Sequence, residues 1–159
     1  MTTQADYTPE EWIALVRSPM VAAVAITLAD PGGPIEIVKE SAAALKTVTE
    51  PLAEQPELVA AVKSELTAMV QRRENPIRDF KPRGADAPQQ VLEELRSVNA
   101  ILTAKATADE AAAFRAWLAH AAQAAAEAAK EGGFMGVGAV RVSEGEEHML
   151  AELAKVLTA

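Results

Sequence analysis

The stretch that decides the fold is TADEAAAFRAWLAHAAQAAAEAAKEGGFMGVGAVRVS, residues 107–143. Thr107 and Glu110 have the spacing of a capping box, in which each side chain pairs with a free backbone donor of a helix's first turn. Apolar side chains then recur at the three- and four-residue intervals of one helix face: Phe114, Trp117, Leu118, Ala121, Ala125, Ala128 and Ala129. Because alanine is the strongest helix former and Gly132-Gly133 follows, the stretch predicts a long amphipathic helix that ends at a glycine-rich turn.

The glycine-rich turn, residues 132–138, allows two interpretations. Four glycines in seven residues suggest a phosphate loop, but their order matches neither G-x-G-x-x-G nor G-x-x-x-x-G-K-[ST]. We therefore expect a tight connection that buries Phe134 in the core, since apolar loop residues are usually buried anchors. The alternative is a mobile lid or a partner-binding edge. If a ligand pocket lies near this turn, Phe134 and Arg141 are candidate ligand-binding residues, with Arg78 or Arg141 as the anion contact.

Prolines divide the rest of the chain into helices. Pro9, Pro19, Pro34, Pro56 and Pro88 each stand at a predicted helix start, where the missing N–H costs nothing. A last helix is expected to run from a cap at residue 143 to residue 157. The sequence thus predicts about seven helices, with the one over residues 107–131 as the sixth.

The predicted fold is a single all-α bundle. Residues 1–7 are expected to be a flexible lead, and residues 8–159 a single helical domain. The second predicted helix, residues 20–29, is apolar on nearly every side, which is typical of the middle of a bundle. We therefore place helices 2 and 6 at the centre.

Composition excludes several classes of function. The chain of 159 residues has no cysteine, which rules out disulfides, thiolate metal sites and cysteine nucleophiles. Its formal net charge of −8 disfavours nucleic acid as a partner, because phosphate contacts need a basic surface. No pattern indicates a cofactor.

The location expected from the sequence is the cytoplasm. The first residues, MTTQADY, lack the positive and apolar regions of a secretory signal. The longest apolar run, residues 20–29, is much shorter than the roughly 20 residues that a membrane span needs. We therefore expect no membrane span.

A basic loop is the second candidate site. Arg72, Arg73, Arg78, Lys81 and Arg83 cluster around Phe80 in an otherwise acidic chain. Arg78, Lys81 and Arg83 are the candidates for binding an anion or an acidic partner. We favour the other interpretation, in which the arginines pair with the chain's own carboxylates in a solvated loop.

The sequence shows no catalytic or metal site. His120 and His148 each have glutamates nearby, but neither has a second histidine, and the Glu-x-x-His and H-E-x-x-H patterns are absent. Both histidines are expected on solvated helix surfaces. No serine has a G-x-S-x-G setting. The lack of a catalytic pattern makes a non-enzymatic protein the favoured interpretation, and an enzyme stays an open alternative.

Two resemblances add little to function. The segment AAKEGGFMGVGAVRVSEGE, within residues 124–146, resembles the C-terminal part of uncharacterised bacterial all-helical proteins, which implies no activity for any residue. The turn with Asp30, Gly33, Ile35 and Glu40 resembles the acidic turn of a tellurite-resistance (TerB-like) domain. Prolines at positions 31 and 34 depart from that pattern, so no metal ligands are carried over.

These observations give three hypotheses. The first is a non-catalytic cytoplasmic protein that acts by self-association, as a homo-oligomer, or by binding another protein, since alanine-rich apolar surfaces often need a partner to cover them. The second is a protein or enzyme with a pocket for a small molecule or anion near the glycine-rich turn. The third is a TerB-like metal-carboxylate stress protein.

Overall fold

The protein is all-helical in the part that the structure describes. A computed structural model describes residues 2–29, 44–50, 54–131 and 144–158. A short 3₁₀ helix, Gln4–Asp6, is followed by five α-helices: α1 (Pro9–Ala29), α2 (Glu57–Gln71), α3 (Ala87–Lys105), α4 (Ala108–Glu131) and α5 (Glu144–Thr158). Residues 44–49 are also helical, and no strand occurs among the described residues. The all-α prediction is confirmed, whereas the predicted start of a helix at residue 34 lies outside them.

The predicted break at Pro19 is wrong, because Pro19 lies inside α1, a continuous helix of 21 residues. A proline inside a helix removes the hydrogen bond to the carbonyl four residues earlier, here that of Leu15. Ser18 supplies the missing donor: its buried hydroxyl donates to the Leu15 carbonyl oxygen at 2.7 Å. The predicted first and second helices are therefore one element. This merger is one reason that fewer helices are described than the seven expected.

The continuity of α1 also bears on the membrane prediction. Among the described residues, α1 is the one helix long and apolar enough to cross a membrane by length and composition. However, 61% of its most apolar window is buried inside the protein. Core helices of soluble proteins and signal sequences share this composition. The apolar segment is therefore longer than the sequence analysis assumed, and its length no longer argues against a membrane span. The burial of α1 inside the protein is now the support for that expectation.

Capping boxes begin both α1 and α4, where the sequence places Thr8 with Glu11 and Thr107 with Glu110 at the required spacing. The backbone N–H of Thr8 donates to Glu11 Oε2 at 2.8 Å, and the N–H of Glu11 donates to Thr8 Oγ1 at 3.2 Å. The backbone N–H of Thr107 donates to Glu110 Oε2 at 3.0 Å, and the N–H of Glu110 donates to Thr107 Oγ1 at 3.3 Å. These local pairs fix the starts of α1 and α4.

The buried side chains form one cluster to which every α-helix contributes. α1 packs against each of the other four α-helices, and α5 packs against α3 and α4 as well. The predicted stripe on α4 is confirmed through Ala125. The helical spacing of the sequence places Ile13 and Val70 on apolar faces and Lys63 on a solvated one. All three expectations are wrong: Ile13 is 54% exposed, Val70 lies at the surface, and Lys63 is buried.

The first residues of the described chain are attached to α4. Tyr7 is buried in the core cluster, and its hydroxyl donates to Thr2 Oγ1 at 3.1 Å. The backbone N–H of Thr2 donates to Glu110 Oε1 at 2.8 Å. The sequence of residues 1–7 contains no local signal for these contacts, because Thr2 and Glu110 are far apart in the chain.

α2 ends in a Schellman motif with arginine in the position that usually holds glycine. The backbone N–H of Glu74 donates to the Met69 carbonyl at 2.8 Å, and the N–H of Arg73 donates to the Val70 carbonyl at 2.9 Å. Arg73 has a φ of 58°, in the left-handed region. A Cβ is disfavoured there, so this helix end stores backbone strain.

Candidate functional site

The charged side chains of the predicted basic loop are exposed to solvent. Arg72 pairs with Glu65 and Glu74, at 3.3 and 2.9 Å. Arg78 lies 3.7 Å from Asp79, and both side chains are 78% exposed. These pairs agree with the favoured interpretation of a solvated loop whose arginines meet the chain's own carboxylates.

The other members of the loop do not form an enclosed site. Lys81 and Arg83 are exposed, and the Arg83 backbone is bound by the side-chain amide of Gln90 at 3.1 and 3.3 Å. Phe80 is half-buried, and the Arg17 guanidinium lies over its ring at 5.4 Å from the ring centre. Phe80 therefore anchors the loop to α1. The proposal that Arg78, Lys81 and Arg83 bind an anion stays a prediction.

Several predicted site residues lie outside the described part of the chain. Phe134 and Arg141 belong to residues 132–143, and the TerB-like turn belongs to residues 30–43. Within the described ranges, no group of three histidine, aspartate or glutamate side chains could hold a metal ion. His120 and His148 are exposed, as expected.

Glu110 is a buried carboxylate whose pKa is strongly shifted. It is 5% exposed and accepts hydrogen bonds from the backbone N–H groups of Thr2 and Thr107. Burial alone would raise its pKa, but these donors outweigh the burial and lower the pKa of Glu110 to about 2. Since all its partners belong to this chain, Glu110 holds the first residues to α4 and is not a free acid or base.

Lys63 is a buried cation. It lies on α2, and its Nζ donates to the backbone carbonyl of Glu50, just after the helical residues 44–49. Burial lowers the pKa of Lys63, and the nearby Glu50 carboxylate opposes that shift. A cation that meets the last carbonyls of a helical segment caps it. We therefore interpret Lys63 as structural.

An open apolar groove lies between α4 and α5. Its volume is about 470 Å³, and exposed alanines form much of its wall: Ala112, Ala116, Ala119 and Ala154. Leu157 and Thr158 contribute from α5, and Arg115 is the charged side chain among the lining residues. We name this surface the alanine groove.

Arg115 is held in place from α3. Its Nε donates to Asn99 Oδ1 at 2.7 Å, and its Nη2 donates to Thr103 Oγ1 at 2.9 Å. Thr103 in turn donates to the Asn99 carbonyl at 2.9 Å. Two fixed hydrogen bonds leave the guanidinium little rotational freedom. Arg115 therefore presents a fixed positive charge beside the alanine groove.

A smaller pocket of about 260 Å³ lies between the start of α2 and the middle of α4. Its apolar wall comes from Pro56, Val59, Ala113, Ala116 and Trp117, and its polar members are Glu54, Gln55 and His120. Trp117 Nε1 and Gln55 Oε1 are buried and have no hydrogen-bond partner among the residues that the structure describes. We name this cavity the Trp117 pocket.

Only part of the information needed to find these surfaces can be read from the sequence. Trp117 stood in the predicted apolar stripe, but nothing local indicated that α2 would begin beside it. The alanine groove had a signal in the alanine spacing of residues 112–119, which identifies small residues without showing which are covered. The burial of Lys63 had no local signal.

Comparisons with known proteins assign no family. No protein-family model matches the chain, and no curated protein or solved structure matches it.

Proposed function

We propose that this chain is a non-catalytic helical protein that acts by self-association, and that the alanine groove is the contact surface. One observation carries the proposal: exposed methyl groups from α4 and α5 line an open groove of about 470 Å³. Water gains no hydrogen bonds from such a wall, so covering it is favourable. The surface lacks the convergent polar groups of a small-molecule site.

A second copy of the chain is the occupant that the chemistry of the groove favours. Small side chains let two helix backbones approach closely, and the ridge formed by Ala112, Ala116 and Ala119 is such a surface. A two-fold contact would place the same ridge on both partners, as in most homo-oligomers. The net charge of −8 on each copy opposes this contact, so the favourable free energy would come from the apolar groove itself.

Two arginine substitutions test the proposal. Ala119→Arg and Ala154→Arg change exposed helical positions in the groove, and arginine is itself a good helix former, so the fold should survive. We expect each to weaken self-association by about tenfold or more, measured by sedimentation equilibrium. Ala151→Arg is the matched control, since Ala151 is exposed on α5 but does not line the alanine groove. An equal effect of all three substitutions would contradict the proposal.

The proposed protein is cytoplasmic and does not bind nucleic acid. It forms a single domain built around the second half of α1 and around α4. Val21, Ala25 and Ile26 support the last point, because each is fully buried. The net charge of −8 supports the absence of a nucleic-acid partner.

A further inference from the structure

We infer that a groove between α3 and α5 binds a small monocarboxylate with an apolar tail. The inference goes beyond the proposed function, because it assigns a small ligand to a surface that shares no lining residue with the alanine groove. The groove has a volume of about 630 Å³, and we name it the Arg96 groove. Side chains from both helices line it, among them Arg96, Asn99, Ala100, Glu152, Lys155 and Val156.

Asn99 supplies an unused hydrogen-bond donor in this groove. Its side chain is fixed, since Oδ1 accepts the hydrogen bond from Arg115 Nε at 2.7 Å. The amide nitrogen, Nδ2, has no acceptor in the described part of the chain. Asn99 is only 7% exposed, yet Nδ2 is not among the unpaired polar atoms sealed from solvent there, so it remains accessible. A fixed, accessible donor without an acceptor favours a ligand that accepts a hydrogen bond.

Arg96 supplies a positive charge one helical turn away. It lies three residues before Asn99 on α3, so the two side chains share a helix face. Arg96 is exposed and has no ion-pair or hydrogen-bond partner among the described residues. A guanidinium N–H and an amide N–H on one face can each donate to an oxygen of the same carboxylate.

The charges around the groove favour a ligand with a single negative charge. Lys155 Nζ already pairs with Glu152 Oε1 at 2.6 Å, which leaves Arg96 as the uncompensated charge among the lining residues. The hydrogen bond from Lys155 lowers the pKa of Glu152, and the charges of His148 and Arg96 act in the same direction. Glu152 therefore stays ionised and would repel a second negative charge on a ligand. A carboxylate meets this limit, whereas a phosphate dianion does not.

Apolar side chains line the rest of the groove. The methyl groups of Ala100 and Ala104 are exposed on α3, and Val156 contributes from α5. Thr103 adds no free polar group, because its hydroxyl is already engaged in two hydrogen bonds. Covering these methyl groups with hydrocarbon is favourable, and a volume of about 630 Å³ is typical of small-molecule sites. A short alkyl tail attached to the carboxylate therefore suits the groove.

The test is an NMR titration of the isotope-labelled chain with hexanoate. We expect saturable shifts of the Asn99 side-chain amide and of backbone amides in α3 and α5. Arg96→Gln removes the positive charge, and Asn99→Asp removes the N–H donor while it keeps the oxygen that binds Arg115. Each substitution should weaken hexanoate binding by about fivefold or more. Unchanged affinity in both variants would overturn the inference.

Two matched variants serve as controls. Arg83→Gln removes an exposed cation from the basic loop, and Ser97→Asp adds a carboxylate at an exposed position of α3 that does not line the groove. Both should bind hexanoate as the wild type does. A loss in these controls equal to that in Arg96→Gln would overturn the inference, because the effect would then come from overall charge. If Asn99→Asp does not fold, Arg96→Gln at its exposed position still provides the test.

Other probes separate the proposed ligand class from its alternatives. Hexanol has the tail without the charge, acetate has the charge without the tail, and inorganic phosphate is mostly a dianion at slightly alkaline pH. All three should bind more weakly than hexanoate. Equal binding of hexanol would reduce the site to an apolar groove, and equal binding of acetate or phosphate would reduce it to a general anion site. Either result, or the absence of hexanoate binding, would overturn the inference.

The titration is repeated on Ala119→Arg, because Arg115 of the alanine groove contacts Asn99. Position 119 lines the alanine groove and not the Arg96 groove. Unchanged hexanoate affinity in this variant is expected, whatever its oligomeric state. Failure of self-association would then leave the carboxylate site standing, and failure of hexanoate binding would leave the self-association proposal standing.

Discussion

Ser18 donates its hydroxyl hydrogen to the Leu15 carbonyl oxygen at 2.7 Å, which is the acceptor that Pro19 leaves without its usual helical donor. Ser18 is fully buried, so water cannot replace the bond. A hydroxyl one residue before the proline therefore keeps α1 continuous through its middle.

A double-mutant cycle tests this relationship. Ser18→Ala should lower the free energy of unfolding by about 1–3 kcal/mol, because it leaves a buried carbonyl without a donor. In a Pro19→Ala background the backbone N–H at position 19 can serve that carbonyl, so the same substitution should cost less than about 1 kcal/mol. Urea unfolding of the wild type, the two single variants and the double variant gives the coupling free energy between Ser18 and Pro19. Equal costs in both backgrounds would show that Ser18 does not compensate for the proline.

The left-handed Arg73 gives a stabilising prediction. Arg73→Gly should raise the free energy of unfolding by about 0.5–1 kcal/mol, because glycine adopts a φ of 58° without Cβ strain. Arg73→Ala is the control: it removes the charge but keeps the Cβ. If alanine stabilises as much as glycine, the gain comes from removing a cation in a basic loop and not from backbone strain.

Glu110 predicts a loss of stability in acid. Its pKa in the folded protein is about 2, below the ordinary value of 4.5. Because the unfolded chain binds the proton more readily, the stabilisation is present above about pH 4.5 and falls as the pH drops toward 2. The difference between the two pKa values corresponds to a contribution of at most about 3 kcal/mol to the free energy of unfolding.

Chemical unfolding at about pH 6 and about pH 3 measures this effect. Glu110→Gln should lower stability at the higher pH and show a smaller loss on acidification than the wild type. Asp109→Asn, an exposed neighbour in the same helical turn, is the control and should keep the wild-type loss. An unchanged acid dependence in Glu110→Gln would exclude Glu110 as its source.

The buried Lys63 predicts a gain of stability at alkaline pH, in contrast to the loss that Glu110 predicts at acidic pH. Burial lowers the pKa of Lys63 below its ordinary 10.5, so the folded protein resists the charged form. That cost is present at neutral pH and is relieved as the pH rises toward 10.5. The stability of the wild type relative to Lys63→Met should therefore increase between neutral and alkaline pH. Lys46→Met is the control, since Lys46 is 79% exposed; the same trend there would point to general charge effects.

The helix starts were predictable because their determinants are local. Thr8 with Glu11, and Thr107 with Glu110, need only the three-residue spacing that the sequence displays. Pro19 misled the prediction because its effect depends on the rotamer of Ser18, and helix patterns contain no information about that hydroxyl.

The candidate surfaces were less predictable, since they depend on which helices meet. Lys63 stands among exposed residues in the pattern of α2, but the segment 44–50 places a carbonyl against it and buries it. The Trp117 pocket needs Gln55 and Trp117 from distant parts of the chain. Sequence spacing describes one helix face at a time and cannot bring those two residues together.

The most direct test of the proposed function is sedimentation equilibrium of the wild-type chain from low micromolar to near-millimolar concentration. Self-association predicts an average mass that rises with concentration toward a multiple of the monomer. The net charge of −8 predicts that added salt shifts the rise to lower concentration, because it screens repulsion between copies. A monomer mass at every concentration and salt level would contradict the proposal.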